Sequence, residues 1–157
     1  MRKMKKILLA IVAFVLVLGL AACGGEETFT VNASDAAAKL RDGLVFQDEL
    51  MEVSENNLSN LYGLSAEDVS EYKAYVSATM ATAEEVAVFV AQDGKVDAVR
   101  QAVDARVQDQ KENYQNYQPQ EMTKLNSAIV RQKGNVVVLV VADDTETANT
   151  LVDEILK

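Results

Sequence analysis

The sequence predicts an α+β fold: a two-layer sandwich with a four-stranded, largely antiparallel sheet made from two strand–strand–helix units, preceded by short helices. Three observations predict it. The run VAVFVAQD at 86–93 returns fifty residues later as VVVLVVAD at 136–143. Each run follows a shorter strand-like stretch, KAYVSA and SAIVRQ, and precedes a segment with helical apolar spacing. Between SAIVRQ and the second valine run, Lys133-Gly134-Asn135 supplies hairpin turn chemistry.

Taken in order, the chain opens on MRKMKK, with four positive charges, followed by the apolar run Ile7 to Leu20. Fourteen residues at about 1.5 Å each fall short of the roughly 30 Å hydrocarbon core, so a secretory signal fits better than a membrane span. The run ends in Leu20-Ala21-Ala22-Cys23, which resembles a lipobox. Such a signal implies that residues 1–22 are cleaved and that Cys23, the only cysteine, carries a diacylglyceryl group. Its thiol has the soft nucleophilicity for a stable thioether, and two acyl chains hold a membrane where one alone binds marginally. A buried structural cysteine is the alternative, but no core is expected beside the spacer Gly24-Gly25-Glu26-Glu27. The expected location is the outer face of the cytoplasmic membrane.

Residues 23–33 read as the lipidated tether and 34–157 as one extracytoplasmic domain. Cleavage would remove four of the 15 basic residues and none of the 24 acidic ones, leaving a mature charge of −13. Such a surface disfavours nucleic acid and anionic headgroups, although acidity also serves solubility alone.

Ser34 and Asp35 suggest a cap for a first helix, Asp35 to Asp42, with Gly43 as its stop. Ser54 opens a second, with Leu58, Leu61 and Tyr62 on one side and Gly63 ending it. EYKAYVSA at 71–78 alternates, placing Tyr72, Ala74, Val76 and Ala78 on one strand face. TAEEVAVFV is ambiguous. Thr82 and Glu85 have capping-box spacing, yet the β-branched and aromatic run favours a strand, and the repeat decides for the strand. The following helix carries Val96, Val99, Val103 and Val107, and the last helix Ala148, Leu151, Val152 and Ile155. Val136 to Val141 is apolar at six consecutive positions, so both faces of that strand require cover. Residues 34–64, with Leu40, Leu44, Phe46, Leu50, Leu58 and Leu61, can supply it and leave a monomer; an open face would mark a partner or dimer site.

Several segments together resemble a known family: VFQDELMEV, NLYGL, TAEEVAVFVAQD, RVQDQKENYQNYQP and GNVVVLVVADD, alongside the lipobox. They are similar to domain of unknown function 4358, a family of small Firmicutes lipoproteins, over residues 44–157. The resemblance implies an extracytoplasmic α+β lipoprotein and carries over no activity and no functional residues.

The residues themselves bound the chemistry. Histidine is absent, and the single cysteine belongs to the lipobox, so His-based metal sites and catalytic triads are out, and no glycine-rich phosphate loop follows a strand. No cofactor and no metal site is expected. The carboxylates Glu84-Glu85, Asp93 with Asp97, and Asp143-Asp144 with Glu146 remain. At strand-to-helix junctions, capping explains acids without a metal. The residues singled out for ligand binding are Arg106, Gln110, Tyr114 and Tyr117. Gln110 is the one polar residue in the stripe Val96, Val99, Val103, Val107, Gln110, Tyr114, Tyr117, and Arg106 stands at its edge. Either the tyrosines cover the sheet's end with Gln110 bonded to a carbonyl, or these residues meet a glycan or peptide. The functional expectation is a binding or accessory module of the cell envelope, contacting an envelope protein or small ligand. The alternatives are a carboxylate-dependent hydrolase of envelope glycans and a small solute-binding component of a transporter.

Overall fold

The computed structural model describes residues 29–157; the signal run and Cys23 lie outside them. The element order is α1 (Ala33–Gly43), β1 (Leu50–Glu52), α2 (Glu55–Tyr62), β2 (Val69–Ser77), β3 (Glu85–Ala91), α3 (Val96–Tyr117), a 3₁₀ turn (Pro119–Glu121), α4 (Met122–Asn126), β4 (Ile129–Lys133), β5 (Val136–Val141) and α5 (Thr145–Ile155). The fold is α+β. Among the described residues, no helix is long and apolar enough to cross a membrane.

All strand pairs are antiparallel, in the order β1-β2-β3-β5-β4. The two repeated runs become the central neighbours β3 and β5, with Val86 opposite Val140 and Val90 opposite Val136. Val86 to Ala91 is therefore strand, and SAIVRQ and the valine run are joined through a turn whose Gly134 has φ +55. A positive φ is cheap for glycine and strained for other residues.

Two expectations need correction. The sheet has five strands rather than four, because Leu50–Glu52 pairs with the outer edge of β2, Leu50 opposite Ser77. The domain is also not two-layered with both long helices on one face. Ala87, Phe89, Ala91, Val137, Leu139 and Val141 point into a core with α2 and α3. Val86, Val88, Val90, Val136, Val138 and Val140 point into a second core with α1 and α5. Every side chain of β3 and β5 is buried. Alternation sends half to each face, and an apolar residue at every position after Glu85 demands helices on both.

The N-terminal cover divides in the same way. Leu40 and Leu44 close the α1/α5 side, joined by Phe46 and Leu50, while Leu58 and Leu61 pack on the α2/α3 side. The cap of α1 is Asn32, whose side chain accepts from the Asp35 N–H at 2.8 Å, so the helix starts two residues earlier than Ser34-Asp35 suggested. Ser54 does cap α2, and Gly63 ends it at φ 66. Asp144 caps α5, accepting from the Thr147 N–H at 3.0 Å, which lowers its pKa.

Phe29, at the start of the described chain, packs on the β4–β5 turn. A Cβ added to Gly134 would lie 3.3 Å from Phe29 Cβ, and the Lys133 ammonium sits 4.6 Å from the ring centroid.

Candidate functional site

Helix α3 has 22 residues, about 33 Å, whereas the seven residues of β3 span roughly 20 Å between end residues. The helix therefore outruns its central strand. Val99, Val103 and Val107 bury against the sheet, and beyond them the stripe changes to the buried Gln110, the partly buried Tyr114 and the exposed Tyr117. At this overhang lies a cavity of about 490 Å³. Arg106, Gln110, Tyr114 and Tyr117, the four residues singled out from the sequence, all line it. Leu61, Val76 and Met80 give it apolar wall, and Ser77, Thr82, Glu84 and Asn113 complete it.

Behind the wall stand two buried carboxylates at the start of β3. Glu85, with its side chain 0% exposed, accepts from Arg106 Nη2 at 2.9 Å, Arg106 Nε at 3.2 Å, Gln110 Nε2 at 2.9 Å and the Tyr62 hydroxyl. Burial first, and the Glu85 charge next, push the Tyr62 pKa well up, so the tyrosine keeps its proton and donates. Burial opposes the Arg106 charge, but attraction and hydrogen bonding from Glu85 leave its pKa raised.

Glu84 is held differently. Its oxygens accept from the Gln47 N–H at 2.9 Å, the Asp48 N–H at 3.0 Å, Thr82 Oγ1 at 2.9 Å and Lys124 Nζ at 3.2 Å. Lys124, 3% exposed, also meets Glu121 at 3.1 Å, and Glu121 accepts from the Ala83 N–H at 2.8 Å. Burial works against the Lys124 charge, while bonds to Glu121 and Glu84 raise its pKa overall. This network ties the 47–48 loop, the 78–84 loop and α4 together at one end of the sheet.

The 78–84 loop forms a rim. Met80 there has φ 56, the one non-glycine residue with positive φ among those described, a conformation that costs of order 1–3 kcal/mol and persists only when held. Tyr114 provides part of the hold, its hydroxyl donating to the Thr82 carbonyl at 2.6 Å and the Met80 carbonyl at 3.1 Å. Asp48 provides more, accepting from Ser77 Oγ, from Thr79 Oγ1 at 2.6 Å and from the Thr79 N–H at 3.0 Å. The two hydroxyls, then the amide, lower its pKa to about 2.

Gln110 partners the Glu85 carboxylate, not a carbonyl, and its own carbonyl Oε1 is buried without a hydrogen-bond partner. Turning the amide over would set that oxygen against Glu85, so the orientation is fixed. Tyr117 stands 81% exposed at the rim.

Sequence reasoning named Glu84-Glu85 as carboxylates and found the α3 stripe. It placed Tyr62 only on one side of a helix and assigned no role to Asp48, Glu121 or Lys124. Asp93, Asp97, Asp144 and Glu146 do not line the cavity, whereas Asp143 reaches its network, 3.6 Å from Lys124. Among the described residues, no group of three or more His, Cys, Asp or Glu is placed to hold a metal ion.

Comparison with known proteins finds no curated protein and no solved structure that matches. Residues 44–142 match the family described as domain of unknown function (DUF4358). That span contains the whole cavity lining and the charged network except Asp143, and leaves out α1 and α5, the two helices of the opposite face. The chain belongs to the DUF4358 family.

Proposed function

We propose that this chain is a membrane-anchored, extracytoplasmic lipoprotein acting as a binding module of the cell envelope, with the cavity under the α3 overhang as its ligand site. The observation that carries the reading is the cavity itself: about 490 Å³, apolar on one wall, with the orphaned buried Gln110 carbonyl at its edge. That volume suits a small ligand.

The position of the site favours such a role. Phe29 docks at the β4–β5 turn, near the Ala91 end of β3, while the cavity lies by the Glu85 end, roughly 20 Å away. Six residue steps separate Cys23 from Phe29 and span at most about 20 Å. A lipid on Cys23 would therefore keep the turn end near the membrane and face the cavity toward the envelope. Hydrolysis is less favoured, because Glu84, the carboxylate lining the cavity, is already engaged by two backbone N–H groups, a hydroxyl and an ammonium.

Two measurements test the proposal. Metabolic labelling with a fatty acid should mark the chain and miss Cys23→Ser; label on both would end the anchoring claim. A photo-crosslinking residue at Asn113, beside the cavity, should capture a defined adduct in intact cells that the same residue at Thr150, on α5, does not. Identical adducts from both positions would refute a ligand site at the overhang.

A further inference from the structure

The chemistry of the ligand can be taken a step further, on the reading that the cavity is a binding site. Among the described residues, the large hydrophobics left exposed are Val45, Met51, Met80 and Tyr117, and two of these four, Met80 at 76% and Tyr117 at 81%, line this cavity. Met80 is also the residue held at φ 56, a strain that glycine would relieve, yet the position carries a long apolar side chain largely in water. At its exposure, neither face of the Tyr117 ring is fully covered. Leu61 and Val76, both half-buried, continue the apolar surface.

Charge selects among apolar ligands. Arg106 also lines the cavity, but Glu85 takes its Nε and Nη2. Lys124 serves three carboxylates, Glu84, Glu121 and Asp143, all within 3.6 Å. Asp48 has no cation among its described partners: it accepts from hydroxyls and backbone N–H groups, including the hydroxyl of Ser77 in the cavity lining. Five carboxylates thus stand about the site against two cations. The imbalance reaches the wall, where burial first and the Glu121 charge next raise the Tyr114 pKa; Glu85 and Asp48 add to the rise, and Arg106 takes back less than Glu121 alone gives. An anion would meet like charge here, whereas a cation is drawn in and finds an aromatic face at the mouth. We infer that the cavity takes a small cationic amphiphile, its apolar body packed on Leu61, Val76 and Met80 and its ammonium group resting at the mouth over the ring of Tyr117.

The test uses the full chain in detergent micelles, labelled with ¹³C-methyl methionine and threonine, with the free concentration of each probe set by dialysis. 2-Phenylethylammonium, 2-phenylethanol and 3-phenylpropionate share one apolar body, and methylammonium supplies the charge alone. The Met80 methyl reports the cavity, and Thr150, exposed on α5 at the opposite face, serves as the control. 2-Phenylethylammonium should move the Met80 signal saturably and leave Thr150 in place. The alcohol should bind about threefold more weakly, and the propionate and methylammonium about tenfold more weakly or worse. Tyr117→Ala, a change at an exposed position, should cost the ammonium about twofold to fivefold, the scale of an exposed cation–π contact, and the alcohol less. Equal binding of the three phenyl probes, a preference for the alcohol or the propionate, or methylammonium matching 2-phenylethylammonium would overturn the assignment and leave the cavity as a binding site. An equal loss for ammonium and alcohol in Tyr117→Ala would do the same. No Met80 response to any probe would overturn both readings. The probe series on the unchanged chain decides the question even if Tyr117→Ala does not fold.

Discussion

Glu85 is the side chain on which the cavity wall most depends. Replacing it by leucine leaves three donors without their acceptor: the Tyr62 hydroxyl, Gln110 Nε2 and the inner face of the Arg106 guanidinium. Tyr62 and Gln110 are each 5% exposed, so neither recovers water without opening the structure. Orphaned buried donors cost about 1–3 kcal/mol apiece. Arg106, its side chain 16% exposed, can turn part of its charge toward the cavity and lose less. The sum is bounded by what breaking a buried ion pair costs, about 3–5 kcal/mol. With a urea m-value of about 2 kcal/mol/M, Glu85→Leu should lower the unfolding midpoint by about 1.5–2.5 M. Glu85→Gln, which retains an acceptor of similar shape, should cost about half as much. The decisive measurement is the double-mutant cycle with Arg106→Met. Replacing both charges with apolar groups removes the unpaired one, so the pair should be less destabilised than the summed singles by about 2 kcal/mol. A Glu85→Leu cost below about 1 kcal/mol, or costs that add within about 0.5 kcal/mol, would refute the view that this network holds the wall.

Two further outcomes follow from the same geometry. Asp48 titrates near 2 in the folded chain against an ordinary 3.8, and a depressed carboxylate contributes stability that is present above its unfolded pKa and lost as pH falls through the folded one. Urea midpoints should therefore decline between about pH 4 and pH 2, less steeply in Asp48→Asn; an unchanged slope in that variant would remove Asp48 from the account. A chain beginning at Leu44 lacks α1 and bares the side of the sheet that carries Tyr75, Val86 and Val88, so light scattering should find oligomers or precipitate, and a stable monomer would show that α1 is dispensable cover.

Much of the fold was legible because the sheet's centre is written redundantly. VAVFVAQD and VVVLVVAD are both unbroken apolar runs that close on an aspartate, and they became paired neighbours. Caps with local chemistry, such as Ser54 and Gly63, were readable too. β1 was not. Its three residues, Leu-Met-Glu, are largely exposed and show no alternation worth reading; backbone bonds to the edge of β2 make it a strand. The faces chosen by the two long helices were also hidden, since an apolar stripe says that a helix packs but not on which side of a sheet. Lys124 illustrates a third limit. In Met-Thr-Lys-Leu-Asn it reads as a solvated lysine, and only carboxylates from the 78–84 loop and the 3₁₀ turn make its burial tolerable.

The candidate site was legible for a reason that joins helix length to chemistry. An inward stripe stays aliphatic while there is sheet beneath it, and on α3 that holds from Val99 to Val107. Gln110 is the first inward position beyond, and there the sequence changes to residues that combine apolar area with polar groups. A helix ending with its strand would have no use for them, because a buried amide and two tyrosines give less burial than leucines and carry polar atoms that need partners. Tyr114 meets that need by bonding loop carbonyls, and Gln110 meets half of it through Glu85. The unmet half is the Gln110 carbonyl, buried without a partner. Leucine or methionine at 110 would add apolar burial but take one donor from the buried Glu85 carboxylate, so the amide there serves the network behind the wall.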